Sequence, residues 1–141
     1  MQILWSRPIL RFSPRYFSTD ASKPVRWGIL SAGRISSDYA KAIAITEGAQ
    51  AAAVAARSAK KAEEFAAIHD IPKFYGSYSD LLADPDIDVV YVGSIADHHF
   101  RLAAQSLLAG KPTVVEKPLT LIYKDTKSLV QLARKQDTFL M

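Results

Sequence analysis

The sequence predicts an α/β domain with a doubly wound, mostly parallel sheet, and three observations carry that prediction. Short apolar runs alternate with longer stretches of helical periodicity, first at Val25–Leu30 and residues 35–46. The runs are continuously apolar, the pattern of strands covered on both faces. The stretches between them are long enough for crossover helices, which join parallel strands in a right-handed sense.

Taken in order, Val25–Leu30 is strand one and ends in small residues. Residues 35–46 place Ile35, Tyr39, Ala42, Ile43 and Ile45 near helical spacing, and Gly48 is expected to stop that helix. Residues 51–56 read as strand two from position, since alanines are poor strand formers. Residues 59–69 are helical, with Ala62, Phe65, Ala66 and Ile68 on one side. Lys73–Tyr75 is a short strand. Ser77 starts a helix with Asp80 three residues on, and Pro85 breaks it. Val89–Val92 is a compact, β-branched strand. Asp97 is expected to cap a helix carrying Phe100, Leu102, Ala103, Leu107 and Leu108, which Gly110 ends. Thr113–Val115 is the next strand, residues 121–135 the next helix, and residues 138–141 begin one more strand.

Composition narrows the function. With 141 residues and 49% hydrophobic content, the chain can build one real core. No apolar run approaches the roughly 20 residues of a membrane span, so no membrane partner is expected. There are no cysteines, hence no disulfide, thiolate nucleophile or cysteine metal site; no metal is expected. The net charge of +4 is concentrated in residues 1–24, where Arg7, Arg11, Arg15 and Lys23 face Asp20 alone. Residues 25–141 hold 14 basic and 13 acidic residues, so no basic face for nucleic acid is expected.

Residues 1–24 are Arg-rich, contain serines and are nearly free of acids, the composition of a mitochondrial presequence. Arg15-Tyr16-Phe17-Ser18 resembles a matrix-processing site with cleavage after Phe17, and the expected location is the mitochondrial matrix. Pro8 and Pro14 would interrupt an amphipathic helix. The alternative is a disordered cytoplasmic extension.

Ligands of doubly wound sheets bind beyond the carboxyl ends of the strands. The turn after strand one places Ser31, Gly33 and Ser36 at the positions of a G-x-G-x-x-G fingerprint. Only the middle glycine is kept, the one that lets the backbone approach a pyrophosphate. Ser31 and Ser36 are small and offer hydroxyls, and the helix start offers unpaired N–H groups. Strand two ends in Ala56-Arg57-Ser58, without the acid that would bind ribose hydroxyls and repel a 2′-phosphate. Arg57 can pair with phosphate in a forked geometry, Ser58 can add a hydrogen bond, and Arg34 can flank the adenine end. NADP is therefore the expected cofactor. Lys60 and Lys61 either add field or form a solvated helix face.

A wider set of residues completes a resemblance. Val54-Ala55-Ala56-Arg57, Tyr75-Gly76-Ser77-Tyr78, Asp84-Pro85-Asp86-Ile87-Asp88, His99, Ala109-Gly110-Lys111 and Glu116-Lys117-Pro118 follow one another in order. The pattern resembles the glucose–fructose oxidoreductase and inositol dehydrogenase (Gfo/Idh/MocA) family from about Val25 to Met141. Within it, Arg26-Trp27-Gly28-Ile29-Leu30-Ser31, Ile35-Ser36-Ser37-Asp38 and Ile71-Pro72-Lys73 most resemble the NADP-dependent dihydrodiol and D-xylose dehydrogenase branch.

The resemblance implies a Rossmann NAD(P)-binding domain over residues 25–141, followed in the family by a substrate domain. It implies hydride transfer between nicotinamide and a sugar or diol carbon. Lys117 matches the family's Glu-Lys-Pro lysine, beside the nicotinamide ribose and the substrate hydroxyl, and is the expected catalytic residue. The Lys-Pro bond in the family is often cis. The implied cofactor contacts are Ser31, Gly33, Arg34, Ile35, Arg57, Ser58, Ser94, His99, Glu116, Lys117 and Pro118. The family's Thr-Pro-Asn after strand four appears as Ser94-Ile95-Ala96; His99 matches the family histidine and His98 is extra. The chain is thus expected to be the cofactor half of an enzyme, truncated before the substrate domain and forming a homo-oligomer only with it. A stand-alone dinucleotide-binding or regulatory protein without turnover is the rival reading.

Overall fold

The structure is a computed structural model that describes residues 23–141. The leader expected over residues 1–24 falls, except for its last two residues, outside the described part.

Five strands form one parallel sheet: β1 (Val25–Leu30), β2 (Ala49–Ala55), β3 (Lys73–Tyr75), β4 (Val89–Val92) and β5 (Thr113–Val115), in the order β3-β2-β1-β4-β5. Five helices connect or follow them: α1 (Arg34–Ala44), α2 (Ala59–Ile68), α3 (Tyr78–Ala83), α4 (His99–Leu108) and α5 (Tyr123–Lys135). The strand order reverses between β1 and β4, which leaves a crevice at their carboxyl ends.

Alternate strand residues feed opposite faces. Ile29, Val54 and Tyr91 meet Ala40 and Ile43 of α1 and Phe65 and Ala66 of α2. Leu30, Ala53, Ala55, Val90 and Val92 meet Leu81 and Leu82 of α3 and Leu102 of α4. α5 lays Leu129 and Ala133 against Ala103 and Leu107 of α4. The alanines of β2 are poor strand formers, yet Ala53 and Ala55 are fully buried between helices. Burial by both layers overrides their propensity. Gly28 has a packing reason: a Cβ there would lie 2.7 Å from Leu81 Cδ2 and 2.9 Å from Ile87 Cγ2.

The helix ends differ from expectation where no glycine marks them. α1 ends at Ala44, and Gly48, with φ +74°, instead shapes the turn into β2, which begins at Ala49. α2 and α5 are followed by Asp70 and Asp137 in the left-handed region, with φ 53° and 48°. Gly110 does end α4: its N–H reaches Leu107 O and that of Lys111 reaches Ser106 O, each at 3.0 Å. Asp97 does not cap α4. A 3-10 turn, Ala96–His98, comes first, and His98 stands at the helix start with no side-chain cap. The helix expected from residue 121 begins at Tyr123. The expected final strand is one bridge, Thr113 with Leu140.

A charged network ties β1 and β3 to the segment that leads into β4. Asp88 accepts from Arg26 Nε at 3.0 Å and Nη2 at 2.9 Å, and Asp84 accepts from Lys73 at 3.0 Å and Tyr75 at 2.8 Å. Burial pushes the Asp84 carboxyl up, but the Asp86 N–H, Lys73 and Tyr75 outweigh it and hold it below the usual carboxylate range. A carboxylate depressed in the fold stabilises above its unfolded pKa of about 3.9 and loses that contribution as pH falls through its folded value. The Asp84 contribution to stability should therefore be level from neutral pH to about pH 5 and fall below about pH 4. The difference between wild type and Asp84→Asn should shrink over the same acidic interval. A difference that stays constant would remove Asp84 from the explanation.

Candidate dinucleotide site

The crevice is built by three strand ends. β1 delivers Ser31, β2 delivers Ala56 and Arg57, and β4 delivers Gly93 and Ser94. A cleft of about 430 Å³ opens there, lined by Ser31, Ala32, Ala56, Arg57, Ser58, Lys61, Tyr78, Ser94, Ile95 and His98. No carboxylate is among the lining residues.

The turn into α1 has the features of an anion cradle. Ser31, at the position of the first fingerprint glycine, has φ 89°, a conformation that costs a non-glycine residue about 1–3 kcal/mol. Its N–H is held by Ala55 O at 2.9 Å. Gly33 is the N-cap of α1, with φ −100°, ψ 177° and no side-chain cap, and the first turn of α1 carries no acid. A Cβ on Gly33 would meet only Gly93 O and Ser31 Oγ, both at 3.8 Å. Neither backbone angle nor internal packing calls for glycine here. What a side chain would fill is the open space before an uncapped helix start, where a pyrophosphate would sit. The residues present therefore fit a dinucleotide. Gly33→Ala should shift the melting temperature by no more than a few °C, the cost of a poorer N-cap being about 1 kcal/mol. It should weaken NADP binding at least tenfold, read by fluorescence titration with NADPH. Equal losses in folding and binding would mean that Gly33 serves the fold.

Ser36 departs from the expectation of a hydroxyl offered to phosphate. It is fully buried and donates to Gly93 O at 3.3 Å. The close helix–strand approach that the third fingerprint glycine normally allows comes from the other side, because Gly93 has no Cβ.

At the ribose end, Arg57 is exposed and its guanidinium has no hydrogen-bond or ion-pair partner among the described residues. Ser58 caps α2, its Oγ accepting from Lys61 N at 3.4 Å, which leaves its hydroxyl hydrogen for a ligand. The two lysines of α2 separate: Lys60 pairs with Glu64 at 4.0 Å, while Lys61 lines the cleft beside Arg57. Two cations and a helix start thus face one spot.

The residues expected at the nicotinamide end lie on the neighbouring strand end. Glu116 follows β5, and its N–H donates to Val92 O at 3.0 Å. Its carboxylate accepts from Tyr91 Oη at 2.9 Å and from Lys117 N at 3.0 Å. Those two bonds, the Lys117 one first, hold it below the usual carboxylate range. Burial, then the bond to Glu116, pushes the Tyr91 phenol up. The Lys117–Pro118 bond is cis, and the Lys117 side chain is exposed. His99 is 1% exposed; Nδ1 lies 2.7 Å from Pro118 O and Nε2 2.9 Å from Ser94 O. Both partners are carbonyl oxygens, so a ring with one N–H donates to one of them, and the buried His99 ring sits between the β4 loop and the Pro118 corner.

The structure gathers Ser31, Arg57, Ser58 and Ser94 in the cleft lining. Arg34 and Ile35 lie on the exposed first turn of α1, and Glu116, Lys117 and Pro118 lie at the end of β5, outside that lining. Tyr78, Ile95 and His98 line the cleft without having been singled out as ligand contacts. Tyr78 could be foreseen as the residue after a helix cap that faces the sheet's carboxyl end. Ile95 and His98 belong to a loop whose path no periodicity reveals. Among the described residues there is no group of three His, Cys, Asp or Glu placed to hold a metal ion, and no helix long and apolar enough to cross a membrane.

A parallel sheet with its crevice at the switch point, an uncapped helix start and a glycine facing open space define a dinucleotide-binding domain. Residues 25–141 match the family model described as an oxidoreductase family with an NAD-binding Rossmann fold, and the chain belongs to that Gfo/Idh/MocA family. Among curated relatives, trans-1,2-dihydrobenzene-1,2-diol dehydrogenase of Danio rerio is 47% identical over 119 residues, and that of Homo sapiens 41% over 119 residues. Each alignment covers 83% of this chain and 36% of the relative, so the chain spans about a third of the length of the curated relatives it matches. Among solved structures, a 3-ketoreductase from Actinomadura kijaniata in complex with NADP superposes with a TM-score of 0.80 at 28% identity, covering 84% of this chain and 38% of that one. A biliverdin reductase from Synechocystis in complex with biliverdin and NADP+ gives a TM-score of 0.75 at 32% identity, covering 84% and 37%.

Proposed function

We propose that this chain is the cofactor-binding part of an NADP-dependent dehydrogenase that moves a hydride between nicotinamide and a sugar or diol carbon, of the dihydrodiol or D-xylose dehydrogenase type. The observation that carries the choice of NADP is the ribose end of the cleft, where Arg57, Ser58 and Lys61 meet and no carboxylate is present. A 2′-phosphate there gains charge-assisted hydrogen bonds, and nothing repels it. The NADP in the related structures supports the same choice, and the name of the curated relatives supports a diol as substrate.

When bound, the nicotinamide accepts or supplies the hydride. The chain's residues orient and charge its surroundings. Gly33 and the start of α1 take the pyrophosphate, and Arg57, Ser58 and Lys61 take the 2′-phosphate. Lys117 sits beside the reacting oxygen, polarises it and relays its proton. Its exposed side chain, on a corner whose main chain is held by Glu116 and packs beside His99, supports that role. The leader over residues 1–24 carries the protein to the mitochondrial matrix in this reading.

The deciding experiment captures the endogenous protein from its source with an antibody against residues 60–70, incubates it with NADP+ and either a trans-dihydrodiol or D-xylose, and follows NADPH absorbance. Turnover abolished by Lys117→Met supports the dehydrogenase. Tight NADP+ binding with no turnover on either substrate favours the rival, a dinucleotide-binding protein without catalysis.

A further inference from the structure

The buried tyrosine of β4 has a hydroxyl that the core does not need. Tyr91 is 1% exposed, and its ring stacks on Tyr39 of α1 at 3.6 Å with the planes 2° apart. Tyr39 in turn meets Trp27 of β1 edge-on at 5.4 Å. A phenylalanine would make the same ring contacts. The hydroxyl alone leaves the core, and it donates to Glu116 Oε2 at 2.9 Å. The other carboxylate oxygen, Oε1, accepts from the N–H of Lys117 at 3.0 Å.

Tyr91, Glu116 and Lys117 therefore form a chain from the stacked aromatic core to the main chain of the lysine. Only Oε1 holds Lys117, and Oε1 is aimed by what holds Oε2. Without the phenol, the carboxylate can rotate about its terminal torsion, which is broad and weakly restrained in glutamate. A hydrogen bond to an ionised acceptor is among the stronger ones a side chain makes. The aromatic stack fixes the donor: Tyr39 covers one ring face, and Tyr91 is buried in the cluster formed by the strands with α1 and α2.

Resting on the dinucleotide reading above, we propose that Tyr91 is a positioning residue: its hydroxyl fixes the Glu116 carboxylate and, through it, the Lys117 corner against which the nicotinamide half of the cofactor docks. The adenine half contacts other strand ends and is independent of this chain of bonds. The two halves can be probed separately, NADPH reporting the whole site and 2′,5′-ADP only the adenine side.

The test measures both affinities, with melting temperatures alongside, for the wild type, Tyr91→Phe, Glu116→Gln and the double variant. Tyr91→Phe should bind 2′,5′-ADP within twofold of wild type and NADPH about tenfold more weakly, the scale of one lost charge-assisted hydrogen bond. NADPH fluorescence in the variant should also lose part of the blue shift that a sequestered nicotinamide shows. The NADPH losses of Tyr91→Phe and Glu116→Gln should not add in the double variant. Equal losses for the two ligands, additive losses, or no loss at all would overturn the proposal while leaving the cofactor reading intact. A wild-type chain that binds neither ligand would overturn the cofactor reading and this proposal with it.

Discussion

Arg57→Asp should reverse the cofactor preference of this chain. In the wild type the exposed guanidinium faces the cleft without a partner among the described residues, beside Ser58 and Lys61. An aspartate there removes a forked phosphate partner and brings a negative charge to the same place. Losing a charge-assisted pair and adding repulsion should weaken NADP+ by about 100-fold or more. The same carboxylate can accept from two ribose hydroxyls, so NAD+ should bind a few-fold more tightly. The pair of affinities, read by calorimetric titration, is the informative quantity. A parallel fall for both cofactors would show that the change damaged the domain rather than the selection.

Gly93→Ala should be the most damaging glycine-to-alanine change, since its Cβ would meet the shortest contacts among the glycines. A Cβ there would lie 2.3 Å from Ser36 Oγ and 2.6 Å from Tyr91 Cε1. Both neighbours are buried, and neither is the flexible end of a surface chain. Overpacking of this kind costs about 1–3 kcal/mol, and the two simultaneous contacts place it at the upper end. For a domain of this size that lowers the melting temperature by several °C. Ser36→Gly in the same chain should recover part of the loss, because it removes the nearer contact and leaves the Tyr91 one. A full recovery would mean that the Tyr91 contact relaxes freely. No recovery would mean that the helix–strand approach at Ser36 is not what Gly93 permits.

The strands were the most legible elements. β1, β3, β4 and β5 occupy the expected residues; β1, β4 and β5 are compact, largely apolar or β-branched runs ended by a small or charged residue, and β3 is the short aromatic pair that Gly76 ends. Helix ends were less legible, for a physical reason. Asp70 and Asp137 take the left-handed turn that glycine usually takes, and an aspartate in sequence does not announce it. Asp97 offers a good cap to a helix that starts two residues later, after a 3-10 turn. The phosphate turn was readable because its spacing is local. Two other features were not, because each joins distant parts of the chain. Gly93 supplies the close approach expected of a glycine at position 36, and Tyr91 meets Glu116 from 25 residues away. For Lys60 and Lys61 the sequence leaves both readings open, added field at the phosphate or a solvated helix face, and the structure divides them. Lys61 reaches the cleft because α2 begins there, so its first turn faces the ligand side while Lys60 turns to Glu64.

Selection of NADP by this cleft is tested directly by one titration. The purified chain is titrated in a calorimeter with NADP+ and, separately, with NAD+ at the same pH and ionic strength. NADP+ should bind saturably and at least tenfold more tightly than NAD+, the minimum expected of a 2′-phosphate held by Arg57, Ser58 and Lys61. Equal affinities, or a preference for NAD+, would contradict that selection.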